Sequence, residues 1–380
     1  MRWITNLAVS VMAISALVGC GGAETVAPEH KMSKVEEANQ AIAIIRHSFE
    51  VMGGKGGIER LRLAASKVKI TGTASAQGKT FPIKIMLGGP DQFRLDYVDD
   101  EISFVYSKDK CRKIVYGVSA RCTPQESMWL IPVRILQGLT YPAGDAANLD
   151  SNFRMREDIT VNGKACVVPE LRPKNSNLKI RAAYDKASGL LAGATFYFKD
   201  DKENKDNWAV TYDDWRTSKK MLAPYRRSVS HEGSVLWQET IQEVDFDGYD
   251  ERAFRAPVLP PTDSPLPYNF PKRRFARLEV DGQKVEVPAP YTTLGGGGVP
   301  EGAVEETEAM ETIRIVHRGP VSKASSLFEQ LKGGAMSAGR QAVGEPTIIL
   351  LEKPYTEGEP ALMILYLRLA SQEVKVEVSM

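Results

Sequence analysis

Residues 81–97 carry the pattern that decides the fold: Phe81-Pro82-Ile83-Lys84-Ile85-Met86-Leu87, then Gly88-Gly89-Pro90-Asp91, then Phe93-Arg94-Leu95-Asp96-Tyr97. Apolar side chains recur at every second position, and a cluster of turn formers separates the two runs. Neighbouring side chains of a strand point to opposite faces, so a period of two marks a strand with one buried face. The pattern extends in both directions. Val68 and Ile70 open an earlier strand, and 102–106 and 112–116 continue it. After a gap, strands are predicted at 165–171, 179–184, 192–199, 207–213, 225–231 and 235–244. Gly, Asn or Asp clusters separate most of them, as antiparallel hairpins require. The fold class that follows is mainly β with α+β: one large, strongly curved antiparallel sheet.

Upstream the period changes to that of a helix. Val35, Ala38, Ile42, Ile45 and Phe49 recur at helical spacing. Ser33 and Glu36 form a capping box at the start, and Gly53-Gly54 ends the helix. A short second helix is predicted at 58–63. In the gap between the strands, 124–139 is short and strongly apolar, with Met128, Trp129, Leu130, Ile131, Val133, Ile135 and Leu136 interrupted by Pro132. It reads as a helix packed on the sheet, as core or as a lid over the concave face.

The first twenty residues are a leader. Arg2 supplies a positive start, 7–18 is apolar apart from Ser10 and Ser15, and Leu17-Val18-Gly19-Cys20 follows. This is the layout of a secretory signal, too short for a comfortable membrane span. The cysteine after Leu-Val-Gly resembles the lipobox of bacterial lipoproteins. That resemblance implies removal of residues 1–19, acylation at Cys20 and a lipidated tether over 20–34. Each buried methylene contributes about 0.8 kcal/mol, so two chains suffice for stable attachment. Gly21 in place of Asp favours, by the same resemblance, the outer membrane facing the periplasm.

An oxidising compartment permits disulfides among the three remaining cysteines. Cys111 and Cys122 flank a hairpin-like stretch centred on Tyr116-Gly117 and are the expected pair, with Cys122–Cys166 the alternative. A Cys111–Cys122 bridge would contribute roughly 3 kcal/mol by loop entropy. Cys166, within Ala165-Cys166-Val167-Val168, reads as a buried thiol.

Several short signals resemble the LolA/LolB-like lipoprotein-carrier superfamily over residues 35–258. They are Gly53-Gly54-Lys55-Gly56-Gly57-Ile58-Glu59-Arg60-Leu61, then Lys69-Ile70-Thr71-Gly72-Thr73, then Gly89-Pro90-Asp91-Gln92-Phe93-Arg94. Later come Asn162-Gly163-Lys164, the run Tyr184-Asp185-Lys186-Ala187-Ser188-Gly189-Leu190-Leu191, Asp213-Asp214-Trp215-Arg216 before Leu222-Ala223-Pro224-Tyr225, and Phe254-Arg255-Ala256-Pro257. The resemblance implies an unclosed β-barrel covered by helices, an apolar cavity for acyl chains or other lipophilic ligands, and no catalysis. The alternating residues Phe81, Ile83, Ile85, Phe93, Leu95 and Tyr97 are the candidate lining, and Trp129 and Leu136 the candidate lid; apolar sites in the mouths of barrels suit such ligands.

Residues 259–273 are rich in proline and read as a linker. Beyond it, 274–380 reads as a smaller α+β module: strands at 275–280 and 284–287, a Gly295–Gly298 loop, a strand ending in His317-Arg318-Gly319-Pro320, a helix at 322–332, then Gly344-Glu345-Pro346 and two strands. This order resembles one repeat of the GyrI-like effector-binding family, which normally pairs two. The glutamate that family places early in its last strand is apolar here, around Ile364.

The chain of 380 residues has a net charge of +1, which speaks against nucleic acid as a partner. Its four histidines are scattered, with no metal-ligand spacing, and Gly295–Gly298 lacks the Lys-Ser/Thr of a phosphate cradle. No cofactor, metal or catalytic residue is expected. The expected function is a membrane-anchored envelope lipoprotein that carries or accepts acyl chains or lipoproteins. The alternative is a non-catalytic envelope scaffold or assembly factor that makes protein–protein contacts.

Overall fold

The computed structural model describes residues 32–76, 78–89, 92–107, 110–140, 151–173, 178–199, 205–255, 261–288, 304–352 and 360–370. The leader 1–19, Cys20, nearly all of the tether and the Gly295–Gly298 loop lie outside the described residues.

Helix α1 (Lys34–Gly53) starts at the expected capping box: Ser33 Oγ accepts from the Glu36 amide, and the Glu36 side chain accepts from the Ser33 amide. Its buried face is Ala41, Ile45, Ser48, Phe49 and Met52, whereas Val35 is 69% exposed. The apolar stripe therefore begins one turn later than its spacing suggested. Helix α2 (Gly57–Ala65) follows after a single tight turn.

Thirteen strands then form one antiparallel sheet. They are β1 (Val68–Ala76), β2 (Lys79–Leu87), β3 (Gln92–Tyr97), β4 (Ile102–Ser107), β5 (Lys110–Val115) and β6 (Val118–Arg121) before helix α3 (Pro124–Thr140). After it come β7 (Ser151–Val161), β8 (Lys164–Pro173), β9 (Leu178–Asp185), β10 (Leu191–Lys199), β11 (Lys205–Ser218), β12 (Met221–His231) and β13 (Ser234–Asp245). The strand order β6-β5-β4-β3-β2-β1-β13-β12-β11-β10-β9-β8-β7 joins two meanders through the β1–β13 pair. Strands β6 and β7 stay unpaired with each other, so the barrel is unclosed. Bulges bend it: at the β1–β13 bulge a Cβ on Gly72 would lie 2.4 Å from the Thr240 carbonyl oxygen, so only glycine allows that approach.

The second unit is a seven-stranded sheet ordered β14-β18-β20-β19-β16-β15-β17. Its strands are β14 (Thr262–Phe270), β15 (Arg273–Val280), β16 (Gln283–Pro288), β17 (Val304–Thr307), β18 (Met310–Gly319), β19 (Ala342–Leu350) and β20 (Ala361–Leu369), with α4 (Ser325–Ser337) between β18 and β19. Strand β20 is buried from Ala361 to Leu367 because both faces are covered. Leu362, Ile364 and Tyr366 join the core of the large sheet, while Met363, Leu365 and Leu367 pack with Leu327 and Leu331 of α4. Ile364 thus faces the first unit.

Residues 259–273 are not a linker throughout. Thr262–Phe270 is an edge strand paired with β18, and Pro265 falls in its bulge. Proline cannot donate to a ladder, but an edge strand with a bulge accommodates it, so proline density did not mark a boundary there. Tyr116 and Phe270 meet edge to face at 5.0 Å, and Arg314 donates to the Tyr116 carbonyl at 2.6 Å, locking the two units together.

Candidate functional site

The pleat aligns inward side chains in rows across the large sheet. One row runs Tyr212, Arg227, Glu239, Ala74 and Phe81 on β11, β12, β13, β1 and β2. A second runs Ile241, Gly72, Ile83 and Tyr97, and a third Ile85, Leu95, Phe104 and Lys113. The alternation read at 81–97 therefore has the predicted parity.

The structure brings the candidate lining together, and it is covered. Phe81, Ile83, Ile85, Phe93, Leu95, Tyr97 and Leu136 are each at most 5% exposed and share one core. Phe81 packs against Tyr97 at 5.5 Å and against Trp237 at 5.7 Å between ring centroids. Trp129 lies on α3, with its side chain outside the described residues. Helix α3 supplies Leu130, Val133 and Leu136 to the same core, so it covers this face in the arrangement described.

Helix α3 reaches across the sheet, about 25 Å at 1.5 Å per residue. Its start is fixed near β5. The Cys111–Cys122 disulfide ties β5 to the residue after β6, with Cα atoms 5.5 Å apart. The next residue, Thr123, caps α3: its Oγ1 accepts from the Glu126 amide at 3.1 Å, and Glu126 accepts from the Thr123 amide at 2.6 Å. Lys113 Nζ, on the inner face of β5, also donates to Glu126 at 2.8 Å. Midway, the Arg134 guanidinium stacks 3.5 Å from the Tyr106 ring centroid. Cys166 is buried and free.

The far end of α3 meets a buried polar cluster. Arg227 Nη1 donates to Gln137 Oε1 at 2.7 Å, and Gln137 Nε2 donates to Glu239 at 3.4 Å. Trp237 Nε1 donates to the same Glu239 oxygen at 2.8 Å. Arg227 and Glu239 form an ion pair with both side chains wholly buried. Tyr212 donates its hydroxyl to the Leu136 carbonyl at 2.9 Å, and burial pushes that hydroxyl above the usual phenol range. Buried charges persist only when paired and hydrogen-bonded. Here α3 contributes one of the required partners, so lifting its end exposes the pair's need for water.

Sequence reading missed these residues. The available signal was parity: Arg227 shares the inward phase of Ala223 and Val229 on β12, and Glu239 that of Trp237 and Ile241 on β13. A charge on an apolar phase, found on two adjacent strands, points to an internal pair. Among the described residues no group of three or more His, Cys, Asp and Glu side chains could hold a metal ion. None of the described helices is long and apolar enough to cross a membrane.

No family model and no curated protein matches the sequence. Among solved structures, similar chains include a domain from Vibrio parahaemolyticus named as an outer membrane lipoprotein-sorting protein, at 15% identity and a TM-score of 0.39, over 57% of this chain and 97% of the other. A DUF1329 family protein from Desulfovibrio piger is similar at 13% identity and a TM-score of 0.39, with the same coverage. A LolA superfamily protein from Nitrosomonas europaea is similar at 11% identity and a TM-score of 0.36, over 56% of this chain and 96% of the other.

Proposed function

We propose that this chain is a lipid-anchored envelope protein that binds acyl chains or other lipophilic ligands on the inner face of its half-barrel, with α3 as a movable cover. The observation that carries this reading is the way α3 is held. Its middle rests on apolar side chains, while its two ends are fixed by polar contacts: Lys113–Glu126 at the start and Gln137 with Arg227 and Glu239 at the finish. Apolar contact is non-directional, so an alkyl chain can replace Leu130, Val133 and Leu136 against the sheet at little cost. The polar ends give the cover a defined closed position to return to. The anchor belongs to the same proposal: acylation of Cys20 would hold the half-barrel near an envelope membrane, with the outer membrane the favoured one, where lipidated proteins are the available cargo.

Native mass spectrometry of protein purified from a membrane fraction tests the reading. Lipid at a fixed stoichiometry, lost in Leu95→Trp, supports it; ligand-free protein under conditions that retain lipid counts against it. One observation favours a second reading, a scaffold that binds no lipophile. The candidate lining is already as closely packed as a permanent core. The same experiment separates the two.

A further inference from the structure

A cleft lies at the end of the half-barrel, between α2 and the turn joining β11 to β12. It is an open cleft of about 700 Å³ lined by Arg60, Leu63, Ala64, Lys67, Lys219, Lys220, Met221, Phe246 and Asp247. The volume falls within the usual range for small-molecule sites. Its chemistry is divided. Ala64, Met221 and Phe246 form a buried apolar floor, and Leu63 stands 67% exposed at the edge. Around them are four cations and one carboxylate. Lys219 is taken up by Asp245 and Asp247, at 2.5 and 3.1 Å. Arg60, Lys67 and Lys220 have no ion-pair partner among the described residues, and Arg60 Nη1 is shielded from solvent with no hydrogen-bond partner among them. Three cations without an ion-pair partner at one rim leave a local surplus of positive charge that an oxyanion in the cleft would offset.

The turn itself adds an independent observation. Ser218 pairs with Met221, so Lys219 and Lys220 form a two-residue hairpin loop. Both have positive φ, 45° and 70°. Such loops favour Asn-Gly, because side chains are strained there. Two lysines occupy that place against the local preference, and strained residues concentrate at functional sites. The site is also pre-formed. Gly54, with φ +58°, abuts the turn so closely that a Cβ would come within 2.6 Å of the Lys220 carbonyl oxygen.

We propose that this cleft binds an anionic amphiphile, with its phosphate or carboxylate among Arg60, Lys67 and Lys220 and its alkyl chain along Leu63, Met221 and Phe246. Neither half of the lining accounts for the ligand alone. An apolar floor would accept any detergent, and a cationic rim would accept any free anion. The site needs no movement of α3, so it stands apart from the inner-face reading.

The test is calorimetric titration of the full chain, carrying Cys20→Ser, with monomeric dodecyl phosphate, beside inorganic phosphate, dodecyl maltoside and phosphatidylglycerol vesicles. One dodecyl phosphate per chain is expected in this cleft, bound more tightly than the other two soluble probes. Lys220→Gly should keep or raise Tm, because glycine suits the turn, yet weaken binding. Lys67→Gln with Lys220→Gly should weaken it by at least about tenfold, the order expected for losing two charge-assisted contacts. Lys332→Glu on α4 is the remote control and should change nothing. Equal binding of dodecyl maltoside, equal binding of inorganic phosphate, or unchanged affinity in the double variant would each overturn the proposal. So would binding to vesicles without binding of the monomer. Loss of dodecyl phosphate binding in Leu95→Trp, with the lysine variants unaffected, would place the ligand on the inner face instead, overturning this site and leaving that reading intact.

Discussion

Arg227 and Glu239 stand opposite each other on β12 and β13, and both side chains are completely removed from solvent. A pair of this kind is costly to break from one side, because the survivor is a buried uncompensated charge. Arg227→Met should therefore destabilise the protein by about 3–5 kcal/mol. Replacing both partners with apolar residues, Arg227→Met with Glu239→Leu, should recover most of that loss. Urea unfolding of the two variants checks this; equal destabilisation would mean the pair is not what holds the site.

The Cys111–Cys122 disulfide closes a loop at the edge of the sheet, directly before the cap of α3. Its removal should cost about 2–3 kcal/mol on loop entropy. The effect should also reach α3, because Thr123 and Glu126 lose their fixed base. Thermal unfolding of Cys111→Ser with Cys122→Ser reads the first effect. Amide exchange in 124–140 reads the second, and protection there should fall before protection in β12 and β13 does.

Asp100, in the turn after β3, is 7% exposed. Burial pushes its carboxyl up to about 6 against the pull of Arg274, and Asp99 and Glu306 add to the rise. The folded state therefore holds this proton more tightly than the unfolded state does. The stability it contributes is present below about pH 4 and is lost as pH rises through about 6. Asp100→Asn should raise Tm at pH 8 relative to wild type, and the difference should fade as pH drops to 4. A stability gain independent of pH would contradict this account.

The strands that sequence exposed best are those with one dry face. The 81–97 run alternates because β2 and β3 have one face on the core. Strand β7 escaped notice because it is a largely exposed edge, and a bulge between Arg156 and Ile159 breaks its alternation. The Asn162-Gly163 turn, with φ of 49° and 76°, was the available sign that β8 needed a preceding partner. Strand β14 was hidden for a different reason. Its prolines imitate a linker, and only pairing with β18 across more than forty residues of chain reveals the strand. The inner face was legible as a stripe, but whether a stripe lines a cavity or fills a core depends on what lies opposite it. That is decided by α3, whose placement rests on long-range polar partners that local periodicity does not encode.

The claim that α3 is a cover, and not a fixed part of the core, is tested most directly by the affinity of a fluorescent acyl probe for wild type and for Gln137→Ala. Removing the Gln137 side chain leaves Arg227 and Glu239 short of a partner in the closed position only, which shifts the balance toward the open one. The account predicts that wild type binds the probe and that Gln137→Ala binds it about tenfold more tightly, since a closed fraction lowers apparent affinity in proportion. No binding by either protein, with Gln137→Ala simply less stable, would contradict it.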